Sequence, residues 1–311
     1  DRAEIWAQVL RTEAPGRHDN FFSLGGDSIL ALQIVARARK RGLKLTPRQL
    51  MEQQTIAALA AATGGAVAAA PAASTAPAAP AAEAGAAFGL TPVQHWFFEQ
   101  AFAQPHHWNQ SVLLTLGEVP DLARLRTAVD AVVTQHEALR LRFACKNGRW
   151  TQCVGAAPAQ APFETQDLSA ERDAGAAIAR TAAALQTTLS LERPFKAVWL
   201  DLGGTRSGRL LLIAHHLVVD AVSWRILVED LQTAYAQLGK AQAVDLGPRT
   251  SALREWTQAL QSRAAQSATQ AELAHWTETL AQAGAPLPGH AAGSNTVADT
   301  VTVECLSLIH I

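Results

Sequence analysis

His215-His216-Leu217-Val218-Val219-Asp220-Ala221-Val222-Ser223-Trp224 follows directly on the apolar run from Arg209 to His215. A second apolar run, Ala197 to Leu202, precedes it across Gly203-Gly204-Thr205-Arg206-Ser207-Gly208, and the pair reads as a strand hairpin. Leu227, Leu231, Tyr235 and Leu238 then form one stripe at helical spacing, stopped by Gly239. A strand that opens through a loop into a helix is a rigid scaffold with an accessible tip, where reactive groups commonly sit. Neighbours in an extended strand face opposite sides, so the two histidines part company. His215 is expected to be packed or hydrogen-bonded, and an imidazole at such a tip can take or give a proton near neutral pH. Asp220, four residues on, caps the next helix or holds a nearby cation. Zinc is the competing use of His-His-x-x-x-Asp, but the histidines diverge and no Cys or further His cluster completes a site, so no metal is expected. His106-His107, beside Pro105, reads as surface or local structure.

Around this run helices and strands alternate. Asp121 starts a helix with Leu122, Leu125, Val129, Val132 and Val133 at helical spacing; Phe163 to Leu168 reads as loop and Ala170 to Leu189 as a second helix. Residues 64–87 are almost wholly alanine, proline, glycine and small polar residues, with Pro71, Pro77 and Pro80 breaking any helix. They read as a linker, about 80 Å long at full extension and nearer 25–30 Å as a coil.

Residues 1–63 carry helical spacing and little strand signal: Asp1 to Thr12, a helix from Ser28 with Ile29, Leu32, Val35 and Ala36 on one side, a short one opened by Thr46-Pro47, and Thr55 to Ala61. This is a small helical bundle. Its informative stretch is Asn20-Phe21-Phe22-Ser23-Leu24-Gly25-Gly26-Asp27-Ser28-Ile29. Two glycines permit a tight turn, and Ser28 stands at a helix N-terminus, where free N–H groups and the dipole favour a phosphate. Asp27 keeps the neighbouring surface polar. Capping alone also explains Asp27 and Ser28.

The chain has 311 residues, 49% hydrophobic, and a formal net charge of -1. That is enough for two ordinary domains, with no basic field directed at nucleic acid or an anionic membrane. No apolar run approaches a bilayer span of about 20 residues. Three cysteines, Cys145, Cys153 and Cys305, suit free thiols in a reducing compartment, hence a cytoplasmic protein. The chain starts in a helical pattern and ends on the apolar Leu306 to Ile311, so a domain excerpt is expected.

Residues 1–63 resemble a peptidyl carrier domain of a nonribosomal peptide synthetase, an enzyme class of secondary metabolism and antibiotic biosynthesis. The resemblance implies a four-helix bundle with 4′-phosphopantetheine on Ser28, next to Asp27, attached by a phosphopantetheinyl transferase. Asp-Ser-Ile is similar to the carrier variant that precedes an epimerization domain. The histidine run resembles the motif of the condensation and epimerization superfamily, an α/β fold like that of chloramphenicol acetyltransferase, which implies His216 as the catalytic residue and Asp220 as architectural. Ala221 replaces the glycine usual in condensation domains, and Asp220-x-x-Ser223-Trp224 looks like the epimerization form. Leu90 to Phe97, Asn109-Gln110-Ser111, Thr250 to Trp256 and Glu272 to Trp276 point the same way; His136 to Phe143 is shared by both types.

The expected organisation is therefore a carrier at 1–63, a linker at 64–87 and, at 88–311, only the N-terminal lobe of an epimerization domain. Family-like sequence runs to about Asp299-Thr300-Val301-Thr302-Val303, and 305–311 read as a sequence-end artefact. The resemblance implies an upstream adenylation domain, a downstream condensation domain and a missing C-terminal lobe that supplies the second acid/base, a glutamate. Epimerization removes a Cα proton acidified by the thioester and returns one on the opposite face. One lobe alone is expected to be weak or inactive and to expose apolar surface. The competing readings are an amide-forming condensation domain and a non-catalytic docking module.

Overall fold

The computed structural model describes residues 2–13, 15–41, 43, 45–64, 85–157, 162–203, 208–282 and 284. The tail at 305–311, the family-like stretch at 299–303 and most of the expected linker lie outside them.

Four helices form the first bundle: α1 (Arg2–Leu10), α2 (Ser28–Lys40), α3 (Pro47–Gln53) and α4 (Ile56–Gly64). The Thr46-Pro47 start is a full capping box, with Gln49 answering Thr46. Ile5, Trp6, Val9, Phe21, Ala31, Ile34, Val35, Leu50 and Leu59 make the core. One expectation is overturned here. Ile29 and Leu32 are not on the buried side of α2; they are 39% and 43% exposed, and the core stripe is Ala31, Ile34, Val35 and Ala38. Both stripes have helical spacing, and the helices packed on α2, α1 and α3 among them, select between them.

The second body is built from α5 (Pro92–Glu99), β1 (Asn109–Thr115), α6 (Leu122–Gln135), β2 (Leu141–Lys146), β3 (Arg149–Val154), β4 (Phe163–Asp167), α7 (Ala174–Gln186), β5 (Phe195–Asp201), β6 (Arg209–His215) and α8 (Ala221–Gly239). The main sheet has the order β1-β6-β5-β4, antiparallel except for the parallel pair β4–β5. Phe195, Ala197, Trp199, Leu210, Leu212 and Ala214 pack with α6 and α8, while Val198, Leu200, Leu211 and Ile213 pack with α7. Both faces of β5 and β6 are therefore covered, which is why these strands read as unbroken apolar runs.

The loop expected at Phe163–Leu168 is strand β4. It lies at the sheet edge with Phe163 buried and Glu164 and Thr165 exposed, as expected of an edge strand whose polar residues reach water on both faces. β2 and β3 form a separate hairpin around Asn147 and Gly148, both at positive φ. The second body also begins earlier than residue 88: the Gly85 amide donates to the Val154 carbonyl, and Phe88 pairs with Gln152.

By contact, residues 1–257 form one unit and 258–311 another, the division falling within α9 (Leu253–Ala264). In the second, α11 (Leu273–Ala281) follows α10 (Ser267–Ala271) and carries Leu273, Trp276 and Leu280 on one stripe, all more than half exposed.

Candidate active site and carrier serine

β6 delivers the two histidines to opposite sides. His215 is fully buried, its Nε2 2.8 Å from the Pro105 carbonyl, and its Nδ1 accepts from the Leu217 amide. A carbonyl only accepts, so the ring is the neutral Nε2–H tautomer. Burial, together with the neighbouring His216 and His106, lowers its pKa against the raising effect of the Pro105 bond. This histidine ties the end of β6 to the 3-10 turn Pro105–His107, so the second histidine pair is local structure around Pro105.

His216 is exposed, and its backbone amide donates to the Trp108 carbonyl. Its Nδ1 lies 2.9 Å from the Val219 carbonyl, which requires a proton on Nδ1. Nε2 is 3.1 Å from Gln110 Nε2 on β1, and Trp108 lies nearly parallel to the ring with centroids 6.2 Å apart. Trp224, on the first turn of α8, donates its indole N–H to Gln110 Oε1 at 2.9 Å.

Asp220 is the N-cap of α8. Its carboxylate accepts from the Ser223 amide (2.8 Å) and hydroxyl (2.7 Å), and Ser223 Oγ accepts in return from the Asp220 amide. Burial works against its ionisation, but the bonds from Ser223 and Val222 and the proximity of His216 together hold the carboxyl below its ordinary range. Ser223 and Trp224 thus shape the site in different ways, one closing the cap and the other reaching across to β1. Among the described residues no group of three His, Cys, Asp or Glu is placed to hold a metal ion.

In the bundle, Asp27 is the helix cap: its carboxylate accepts from the Leu30 amide and its carbonyl from that of Ala31. Ser28 follows as the exposed first residue of α2. The loop before it is pinned by Phe21 N–H to the Gln54 carbonyl and by Gly26 N–H to the Phe21 carbonyl. An exposed hydroxyl on a capped helix start, held by a rigid loop, fits covalent attachment of a phosphodiester there.

The displaced apolar stripe of α2 finds a use. Ile29, Leu32 and Ala36 line a cleft of about 740 Å³ together with Val222, Ile226 and Trp256, and Arg37 lies 3.8 Å from Glu229. The helix that begins at Ser28 and the helix that follows His216 therefore border the same cleft. Sequence reasoning missed Gln110 and Trp108 as partners of His216. Their signal was local to Trp108-Asn109-Gln110 but acquires meaning only when β1 pairs with β6, Asn109 opposite His215.

Residues 86–309 match the family model described as Condensation domain, and residues 3–63 the one described as Phosphopantetheine attachment site. The chain belongs to the condensation-domain family and carries a phosphopantetheine carrier ahead of that domain, the arrangement of nonribosomal peptide synthetases. The carrier's covalent group is 4′-phosphopantetheine. One of the linear gramicidin synthase proteins of Brevibacillus parabrevis is 43% identical over 305 residues, 96% of this chain and 6% of that protein. Gramicidin S synthase 1 of Brevibacillus brevis is 36% identical over 277 residues, 88% of this chain and 24% of that one. The chain thus spans a small part of these relatives. The epimerization domain from the third module of tyrocidine synthetase B is similar at 31% identity and a TM-score of 0.59, covering 64% of this chain and 46% of that structure. The first condensation domain of the calcium-dependent antibiotic synthetase shares the fold at 23% identity and a TM-score of 0.56, over 65% and 49%. Among the described residues no helix is long and apolar enough to cross a membrane; Cys145 and Cys153 are free thiols.

Proposed function

We propose that Ser28 carries an aminoacyl or peptidyl thioester through 4′-phosphopantetheine and that His216 is the general acid/base in converting its L residue to D. The observation behind the second half is the pose of His216: an exposed ring with Nδ1–H held by the Val219 carbonyl and Nε2 on the opposite side, against the Gln110 amide. When bound, the phosphopantetheine thiol supplies the thioester that acidifies the Cα proton. Asp27 and the Gly25-Gly26 turn hold Ser28 at the surface, Asp220 and Ser223 fix the start of α8, and His216 takes a proton at Nε2.

The identity of 31% to an epimerization structure supports the isomerase reading. Amide-forming condensation is the second reading, supported by the description of the family model. The second acid/base belongs to a C-terminal lobe, which also covers the exposed stripe of α11. Adenylation and condensation domains and a phosphopantetheinyl transferase are the partners of such a module, and its free thiols support a cytoplasmic setting.

The test is to load Ser28 enzymatically with an L-aminoacyl-phosphopantetheine in D₂O and analyse the released amino acid for mass and chirality. Deuterium uptake in the full-length synthetase that vanishes in His216→Ala supports the reading. Amide formation with a second loaded carrier, without uptake, establishes condensation instead. Failure to load Ser28 removes the carrier half.

A further inference from the structure

Gln110 has both ends of its amide engaged. Trp224 Nε1 can only donate, so the group facing it at 2.9 Å is Gln110 Oε1. The amide NH₂ must then point the other way, 3.1 Å from His216 Nε2. The Nδ1–H of His216 donates to the Val219 carbonyl at 2.9 Å, and Nε2, facing the Gln110 NH₂, accepts from it. The result is one directed chain: indole N–H to amide oxygen, amide N–H to imidazole, imidazole N–H to main-chain carbonyl. Each donor is set by a group that cannot reverse its role, which fixes the orientation of the Gln110 amide on physical grounds.

We infer that Gln110 is a positioning residue for His216, aimed by Trp224, which holds the imidazole with its Nε2 lone pair occupied until a substrate proton displaces the amide. This rests on His216 being the acid/base of the proposed reaction. The chain matters for direction: a proton on Nε2 would set that N–H against the Gln110 NH₂, donor to donor. A proton arriving from the substrate makes Nε2 a donor, and the Gln110 amide must swing away or turn over against the pull of Trp224. Trp108, stacked on the ring, and the backbone tie from His216 N–H to the Trp108 carbonyl keep the imidazole in place meanwhile. His216 acts electrostatically on His215 and Asp220; both stay untouched in the variants below.

The experiment is a long-range ¹H–¹⁵N correlation on the chain labelled with ¹⁵N-histidine, His216 being assigned through His216→Gln. The expected spectrum shows Nδ1 protonated and Nε2 as a hydrogen-bonded acceptor. In Gln110→Leu the Nε2 signal should move toward that of a free imine nitrogen. Trp224→Phe, which keeps an aromatic ring but lacks the donor, should move it the same way, and the double variant should add little more. Gln110→Glu, with the same shape and no NH₂, should yield a ring protonated at both nitrogens at a pH where the wild type is neutral. In the full-length synthetase, Gln110→Leu should slow Cα deuterium uptake about fivefold, the worth of one hydrogen bond, mainly through kcat. An Nε2 signal indifferent to Gln110→Leu and to Trp224→Phe overturns the inference and leaves the epimerization reading intact. Absence of deuterium uptake by the wild-type synthetase, with the spectra as expected, overturns the reading and not the hydrogen-bond chain.

Discussion

Gly25 and Gly26 look interchangeable in sequence, and the structure makes them unequal. Gly25 has φ +85° with nothing within 4 Å of an added Cβ. Alanine there costs about 1–2 kcal/mol for the left-handed conformation and recovers about 0.4–1 kcal/mol from a stiffer unfolded chain. The net is roughly 1 kcal/mol. A Cβ on Gly26 would stand 2.5 Å from the Phe21 carbonyl oxygen and 2.6 Å from two atoms of the Phe21 ring. That ring is fully buried, edge-on to Trp6 and Phe22, and the carbonyl accepts the hydrogen bond of Gly26 itself. Neither can retreat without opening the loop that presents Ser28. Overpacking of about 1–3 kcal/mol and a lost hydrogen bond of about 1 kcal/mol, less the same unfolded-state gain, leave about 1.5–3 kcal/mol. With tenfold per 1.36 kcal/mol, core amides of α2 should exchange roughly 10- to 150-fold faster in Gly26→Ala and at most about fivefold faster in Gly25→Ala. Hydrogen-exchange mass spectrometry measures this, with peptides of β5 and β6 as the internal standard. If Gly26→Ala leaves α2 within twofold of wild type, or perturbs it less than Gly25→Ala, the packing account of the motif is wrong.

Three further outcomes follow from the geometry. His215 has a lowered pKa, so its neutral ring contributes stability above its ordinary value of 6.5, and that contribution is lost as pH falls below 6.5 and the unfolded chain binds the extra proton. His215→Gln should therefore flatten the acid limb of urea stability between pH 7 and 5; parallel limbs would count against this. Asp220→Ala should cost about 0.5–2 kcal/mol through loss of the α8 cap and Asp220→Ser should recover most of it, read from urea midpoints; equal loss in both would mean the carboxylate does more than cap. Arg37 and Glu229 are partly exposed, so Glu229→Arg should loosen carrier docking by less than about 1 kcal/mol. Adding Arg37→Glu should restore it, as followed by cross-linking between α2 and α8 at low salt, and no restoration would place the docking energy elsewhere.

Short-range signals were legible. The caps at Thr46, Asp121 and Asp220, the β5–β6 hairpin and the Gly239 stop all stand where local side-chain chemistry puts them, because caps and turns involve partners within a few residues. Edge strands were not legible. β4 has one buried apolar residue, so its sequence alternates too weakly to distinguish it from loop, and it is a strand because β5 pairs with it in parallel. The β2–β3 hairpin did carry a usable signal, the Asn147-Gly148 turn between alternating residues.

The site divides along the same line. Residue types and spacing by themselves marked Ser28 at a helix start and set His215 and His216 on opposite sides, since capping and strand alternation are properties of the local backbone; the choice of His216 came from the family resemblance. Which stripe of α2 is buried, and what stands beside His216, were settled only by tertiary structure. Ile29 and Leu32 satisfy helical periodicity as well as Ile34 and Val35 do, and the choice falls to the neighbours that remove one set from water. Gln110 and Trp224 are 114 residues apart and meet at the imidazole only because β1 pairs with β6 in one register. A hydrogen bond needs its partners within about 3 Å, and no pattern along the chain encodes that proximity until the sheet has formed.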